Sequence, residues 1–121
     1  MVRAGMAFLR QNNGKFHPWI VLTHPVPKKG KVVCVNLTSL GEHCVDDKCI
    51  LSKSDYDWIE ENHPTVVAYS YAQLFDVEKL EMVIKDGKLR LAHPPNVPAK
   101  TLETIRAFAK EALDPQLRRL L

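Results

Sequence analysis

The chain has 121 residues, 45% of them hydrophobic, and a formal net charge of +3, with a pI near 8.8. That length predicts one domain over residues 1–121 with a core that needs no metal or disulfide staple, and the modest positive charge falls short of what a strongly basic nucleic-acid binder carries. An odd cysteine count of three, no leader-like start and no apolar run near the roughly 20 residues of a membrane span together predict a cytoplasmic protein held in a reducing setting, with no membrane partner.

In chain order, residues 6–9 read as a short strand, followed by a turn at Gln11-Asn12-Asn13-Gly14. His17-Pro18-Trp19-Ile20-Val21-Leu22-Thr23 and Val32-Val33-Cys34-Val35-Asn36-Leu37-Thr38-Ser39 are β-branched and aromatic runs bounded by Pro, Gly and Lys, as buried strands are. Between them His24-Pro25-Val26-Pro27-Lys28-Lys29-Gly30-Lys31 cannot continue a strand, because its prolines lack the ladder donor and Gly30 suits a turn. The two runs are therefore expected to be adjacent and antiparallel.

A polar loop over residues 41–48 leads into a short strand, Cys49-Ile50-Leu51. Ser54-Asp55-Tyr56-Asp57 has capping-box spacing, and Trp58 and Ile59 would bury one side of the helical turn it starts, which Pro64 ends. Residues 65–75 read as another strand, with Val67, Tyr69 and Tyr71 on one face and Val66, Ala68 and Ala72 on the other. Asp76 then caps a helix with Val77, Leu80, Val83 and Ile84 at helical spacing and Gly87 just past its end. Asp86-Gly87 also reads as a hairpin turn, the less favoured alternative. Residues 89–98 are extended and proline-rich. Leu102, Ile105, Phe108, Ala109, Ala112 and Leu113 make an amphipathic helix, and Asp114-Pro115 starts a short final one.

Strands followed by helices predict a mainly β chain with helices (α+β), a barrel with a helical tail. With His17-Pro18 leading an apolar strand to Thr23, a second strand ending in Thr38-Ser39, Thr65-Val66-Val67 leading to Asp76-Val77, and Gly87-Lys88-Leu89 before a terminal helix, the chain resembles the MazF/PemK/Kid-like toxins over residues 14–113. The resemblance implies a small SH3-like antiparallel β-barrel of the MazF/PemK type with a C-terminal helix. It also implies a homodimer and a metal-independent endoribonuclease (an mRNA interferase) of a toxin–antitoxin or phage-defence system, with RNA and an antitoxin or other protein as partners and no cofactor. His17 stands where the family has Arg, and the family's Asp and Arg of the late strand fall near Ser70 and Gln73. Those departures support a second reading, a catalytically inactive barrel that binds nucleic acid or protein.

Metal-free RNA cleavage needs a base for the ribose hydroxyl, a cation or donor for the phosphorane, and an acid for the leaving group. His17 is the candidate base or acid because imidazole titrates near neutrality. Lys15 is the candidate electrostatic stabiliser, and Thr38 and Ser39 the candidate phosphate donors. Lys28, Lys29 and Lys31 form a basic tip suited to a phosphate backbone, as do Lys85, Lys88 and Arg90, and Tyr69, Tyr71 or Trp19 would stack bases. Each also has a plainer reading, as strand-end polar residues, solvated turns or core aromatics. Cys49 is a candidate nucleophile or redox thiol but reads more simply as a small buried residue. His43, Cys44 and Cys49 lack the paired spacing of structural zinc sites, so no metal is expected.

Overall fold

The computed structural model describes residues 1–12, 14–25, 30–40 and 46–121. Within them the architecture is mixed α+β, a curled six-stranded antiparallel sheet with helices on both faces. The strands are β1 (Met6–Asn12), β2 (Lys15–Val21), β3 (Lys31–Ser39), β4 (Ile50–Leu51), β5 (Thr65–Asp76) and β6 (Arg90–Asn96), in the spatial order β4-β5-β3-β2-β1-β6. The helices are α1 (Val77–Lys85), α2 (Ala99–Ala112) and α3 (Pro115–Arg118). Among the described residues no helix is long and apolar enough to cross a membrane.

β2 and β3 are adjacent and antiparallel, with Trp19 opposite Asn36 and Val21 opposite Cys34. Side chains alternate across the sheet, so β1, β2 and β3 each contribute to two cores. One face carries Ala7, Ile20, Val33, Val35, Leu37 and Val67 against Ile105, Ala109 and Leu113. The other carries Phe8, Trp19, Val21, Val32 and Cys34 against Leu80 of α1. Fully burying such a leucine contributes about 1.5–3 kcal/mol, which fastens α1 to the second face.

Local signals account for the helix ends. The Asp76 carboxylate accepts from the Lys79 N–H at 3.2 Å, capping α1. Gly87 takes a φ of +75° just beyond it, and because residues 82–85 are helical the hairpin alternative does not form. Asp114 accepts from the Gln116 and Leu117 N–H groups, and Pro115 opens α3.

Three expectations need correcting. The first strand runs to Asn12 rather than ending at Leu9, because β2 pairs with it from Ala7 to Asn12. The turn after β4 is organised on the preceding Ser-x-x-Asp: the Ser52 N–H donates to Asp55 Oδ2 at 2.8 Å, whereas Asp57 pairs with Lys53 at 3.3 Å and no helix forms. Tyr56 and Ile59 are the residues this segment buries, and the Tyr56 hydroxyl donates to the Pro94 carbonyl at 2.6 Å.

The third concerns β5. Cys34 is paired with Gln73 and Asn36 with Ala68, so Tyr69, Ser70, Tyr71 and Ala72 all stand opposite the single residue Val35. This bulge breaks the alternation. Ala72 consequently packs against the same core as Val67 and Tyr69, while Tyr71 is 52% exposed.

Candidate functional site

Directly opposed residues of an antiparallel pair share a face. Arg10 is opposite His17 and Asn12 opposite Lys15, so Arg10, Lys15 and His17 stand on the face of Phe8 and Trp19. Asn36, opposite Trp19, and Thr38, two residues on, belong to that face as well. Gln73 joins it through its pairing with Cys34. The face is apolar where α1 covers it, and its polar residues begin at Arg10, His17, Asn36 and Thr38.

Arg10 is the centre of this surface. Its guanidinium lies 5.4 Å from the ring centroids of both Trp19 and Phe75, and Nη1 donates to Gln73 Oε1 at 3.4 Å. Trp19 and Phe75 are themselves packed edge to face at 5.4 Å. The charge is exposed on an aromatic platform rather than buried, an arrangement worth about 0.5–1 kcal/mol that orients the cation without neutralising it. Beside the β5 bulge, Asp46 Oδ2 accepts from the Ser70 N–H at 3.0 Å and from Ser70 Oγ at 2.8 Å. A carboxylate is thereby held at Ser70 and a guanidinium at Gln73.

The Asn36 Oδ1 atom is closed off from solvent and finds no hydrogen-bond donor among the described residues. An unmade bond at a buried acceptor costs about 1–3 kcal/mol.

The sequence-predicted residues divide. Lys15, His17 and Thr38 share the Arg10 face; Lys15 is exposed, and His17 and Thr38 are half-buried. The β2–β3 pairing runs from Val21–Cys34 to Trp19–Asn36, and His17 and Thr38 each lie two residues beyond its last pair on that face. Ser39 points to the opposite face from Thr38, since it is the next residue of one strand. It is not a partner of Thr38 on a shared phosphate. Its Oγ is 2.7 Å from His63 Nε2, and the His63 carbonyl accepts from Thr65 Oγ1 at 3.2 Å.

Tyr69 does not offer a stacking surface. It is 3% exposed, and its hydroxyl donates to the Ile105 carbonyl at 2.8 Å, tying β5 to α2. Trp19, 7% exposed, lies beneath Arg10. Lys31 is exposed opposite Asp76, and seven residues of strand, about 23 Å, separate it from Thr38. Lys28 and Lys29, and His43 and Cys44, lie outside the described residues. Among the described residues no group of three or more His, Cys, Asp or Glu is arranged to hold a metal.

Cys34 and Cys49 are buried and free. Burial pushes the Cys34 thiol far above its ordinary value, and burial, aided by Asp55, raises Cys49 too. Both are thiols of the core rather than nucleophiles.

Arg10, Asn36, Asp46 and His63 are the residues that sequence reasoning missed. Arg10 does carry a signal: it alternates with Phe8 in a strand paired to the His17 run. Asp46 and His63 lie 24 residues from the serines they meet, and nothing local announces those contacts. No family model, curated protein or solved structure matches the chain.

Proposed function

We propose that this protein acts on RNA as a metal-independent endoribonuclease, on an SH3-like barrel of the MazF/PemK type, within a toxin–antitoxin or phage-defence system. The observation that carries the reading is the placement of Arg10 opposite His17 and against Gln73. By the resemblance the toxins' late-strand cation falls near Gln73, and here Arg10 of β1, two strands further along the sheet than β3, reaches Gln73 with its guanidinium. Asp46, bound to Ser70, likewise sets a carboxylate beside the residue near which the resemblance puts their Asp. The curled antiparallel sheet and C-terminal helices support the fold part of the reading.

Chemically, His17 accepts the proton of a ribose 2′-hydroxyl, and the 2′-oxygen forms a bond to the adjacent phosphorus. The bond from phosphorus to the 5′-oxygen breaks, and that oxygen takes the proton back from the imidazolium. The products are a 2′,3′-cyclic phosphate and a 5′-hydroxyl. Arg10 and Lys15 stabilise the charge that builds on the phosphorane, and the Thr38 hydroxyl donates to a phosphate oxygen. The protein works as a homodimer, held in check by an antitoxin.

A second reading, a binding module without catalysis, is favoured by one observation: Ser39 is turned to His63, which leaves Thr38 alone of the two hydroxyls on the Arg10 face. Incubation of EDTA-treated protein with a long single-stranded RNA separates the two. Fragments ending in cyclic phosphate, lost in His17→Ala, support the nuclease. Intact RNA that is nevertheless retained by the protein supports the binding module.

A further inference from the structure

We propose that Phe16 and Arg90 form a second RNA contact, on the opposite face of the sheet from Arg10, where a base of the bound strand stacks after the strand has passed Lys15. The proposal rests on the RNA reading above and names where the ligand goes once it leaves the Arg10 face.

Successive strand residues face opposite ways, so Phe16 points away from its neighbours Lys15 and His17 and stands on the side of Leu9 and Ile20. Gln11 is directly opposite it on β1, and Arg90 of β6 is opposite Leu9. The Arg90 guanidinium reaches across β1 to lie 5.1 Å from the Phe16 ring centroid. Leu9 and Ile20 pack into the core of that face, but Phe16 lies beyond it, 44% exposed, with Gln11 and Arg90 exposed beside it. Core packing therefore does not account for the ring, which is held under a cation and open to solvent.

The surrounding charge selects the ligand. β1, β2 and β6 carry Arg10, Lys15 and Arg90 and no Asp or Glu. These three cations equal the formal excess of +3 for the whole chain, so elsewhere acidic and basic residues balance. Among the described residues the one ion pair is Lys53–Asp57, so no carboxylate there neutralises any of the three. A cationic end of a sheet with a flat group on each face suits a polyanion that carries stackable rings. Arg10 over Trp19 and Phe75 serves one face, and Arg90 over Phe16 the other. Phe16 and His17 are consecutive, with Cα atoms about 3.8 Å apart, so a single strand with splayed bases passes from one platform to the other around the end of β2.

The test uses 2′-O-methyl oligoadenylates, which lack the 2′ nucleophile and so report binding without cleavage: a tetramer, a decamer, and a decamer of the same backbone without bases. Wild-type protein should bind the decamer about tenfold more tightly than either of the others. Phe16→Leu should lose that advantage while binding the tetramer as the wild type does, and Phe16→Tyr, which keeps a ring, should retain it. Arg90→Gln should weaken the decamer and lower the slope of log affinity against log salt by about 0.7, the share of one phosphate. Irradiation of the wild type with a 2′-O-methyl 5-iodouridine decamer should cross-link Phe16, a readout that does not depend on how a variant folds. Equal binding of tetramer and decamer, equal binding of the decamers with and without bases, full decamer affinity in Phe16→Leu, an unchanged salt slope in Arg90→Gln, or no cross-link at Phe16 would each overturn the proposal and leave the nuclease reading standing. Wild-type protein that binds none of the three would instead remove the RNA reading, and this proposal with it.

Discussion

Arg10 lies directly across the β1–β2 ladder from His17, on the same face of the sheet. The pairing converts two residues seven positions apart in the chain into a cation and an imidazole, set one strand spacing apart. Trp19 and Phe75 hold the guanidinium from below and Gln73 from the side. The face therefore combines a base, a fixed positive charge and, at Thr38, a hydroxyl.

Ser39 and His63 sit on the other side of the sheet and should not share this chemistry. Ser39→Ala and His63→Ala are expected to leave RNA cleavage unchanged, whereas Thr38→Ala should lower it by about tenfold or more. Parallel rate measurements on the three variants check this, and a larger loss for Ser39→Ala than for Thr38→Ala would contradict the assignment of faces.

Tyr69 is a structural residue. Tyr69→Phe removes the hydrogen bond to the Ile105 carbonyl and is expected to destabilise the fold by about 1 kcal/mol in urea denaturation. RNA affinity should not change. A fall in affinity at unaltered stability would return Tyr69 to the binding surface.

Cys34 and Cys49 should resist alkylation in the folded protein, since both are buried and burial holds their thiols protonated. Peptide mapping after iodoacetamide treatment, with and without urea, reads this directly. Rapid native labelling of Cys49 would revive it as a reactive thiol.

Alkaline pH should unfold the protein through its buried tyrosines. Burial pushes the Tyr56 phenol from 10.0 up to about 12, and Tyr69 is raised as well. Below pH 10 the phenols are neutral in both states and the fold keeps its full stability. Above it the unfolded chain releases protons first, so stability declines as pH rises through 10 toward about 12. Urea midpoints on either side of pH 10 should show the decline, and Tyr56→Phe should reduce it.

Much of the fold was legible in the residues. The runs at Trp19 and Val33 are β-branched and sharply bounded, the Asp76 cap and Gly87 bracket α1, and Ile105 and Ala109 repeat at helical spacing. What failed depended on register or on three-dimensional neighbours. Residues 65–75 alternate without a Gly or Pro to mark a bulge, so Tyr71 and Ala72 were assigned faces that the displaced backbone does not give them. Ser52 and Ser54 each precede an acid by three residues, and packing of Tyr56 against Pro94 selects between them. At the site, His17, Lys15 and Thr38 were legible as residue types with the right chemistry. Arg10 was not, because its role exists only once β1 pairs with β2 and the β5 bulge brings Gln73 beside it.

The most direct test of the Arg10–His17 face is the single-turnover rate at which metal-free protein cleaves a fluorescent RNA, compared among the wild type, Arg10→Ala and Arg10→Lys. The account predicts cleavage by the wild type, a loss of about 10²–10³-fold in Arg10→Ala, and partial recovery in Arg10→Lys, which keeps the charge but not the planar fork. Cleavage by Arg10→Ala at the wild-type rate, or no cleavage by the wild type, would contradict it.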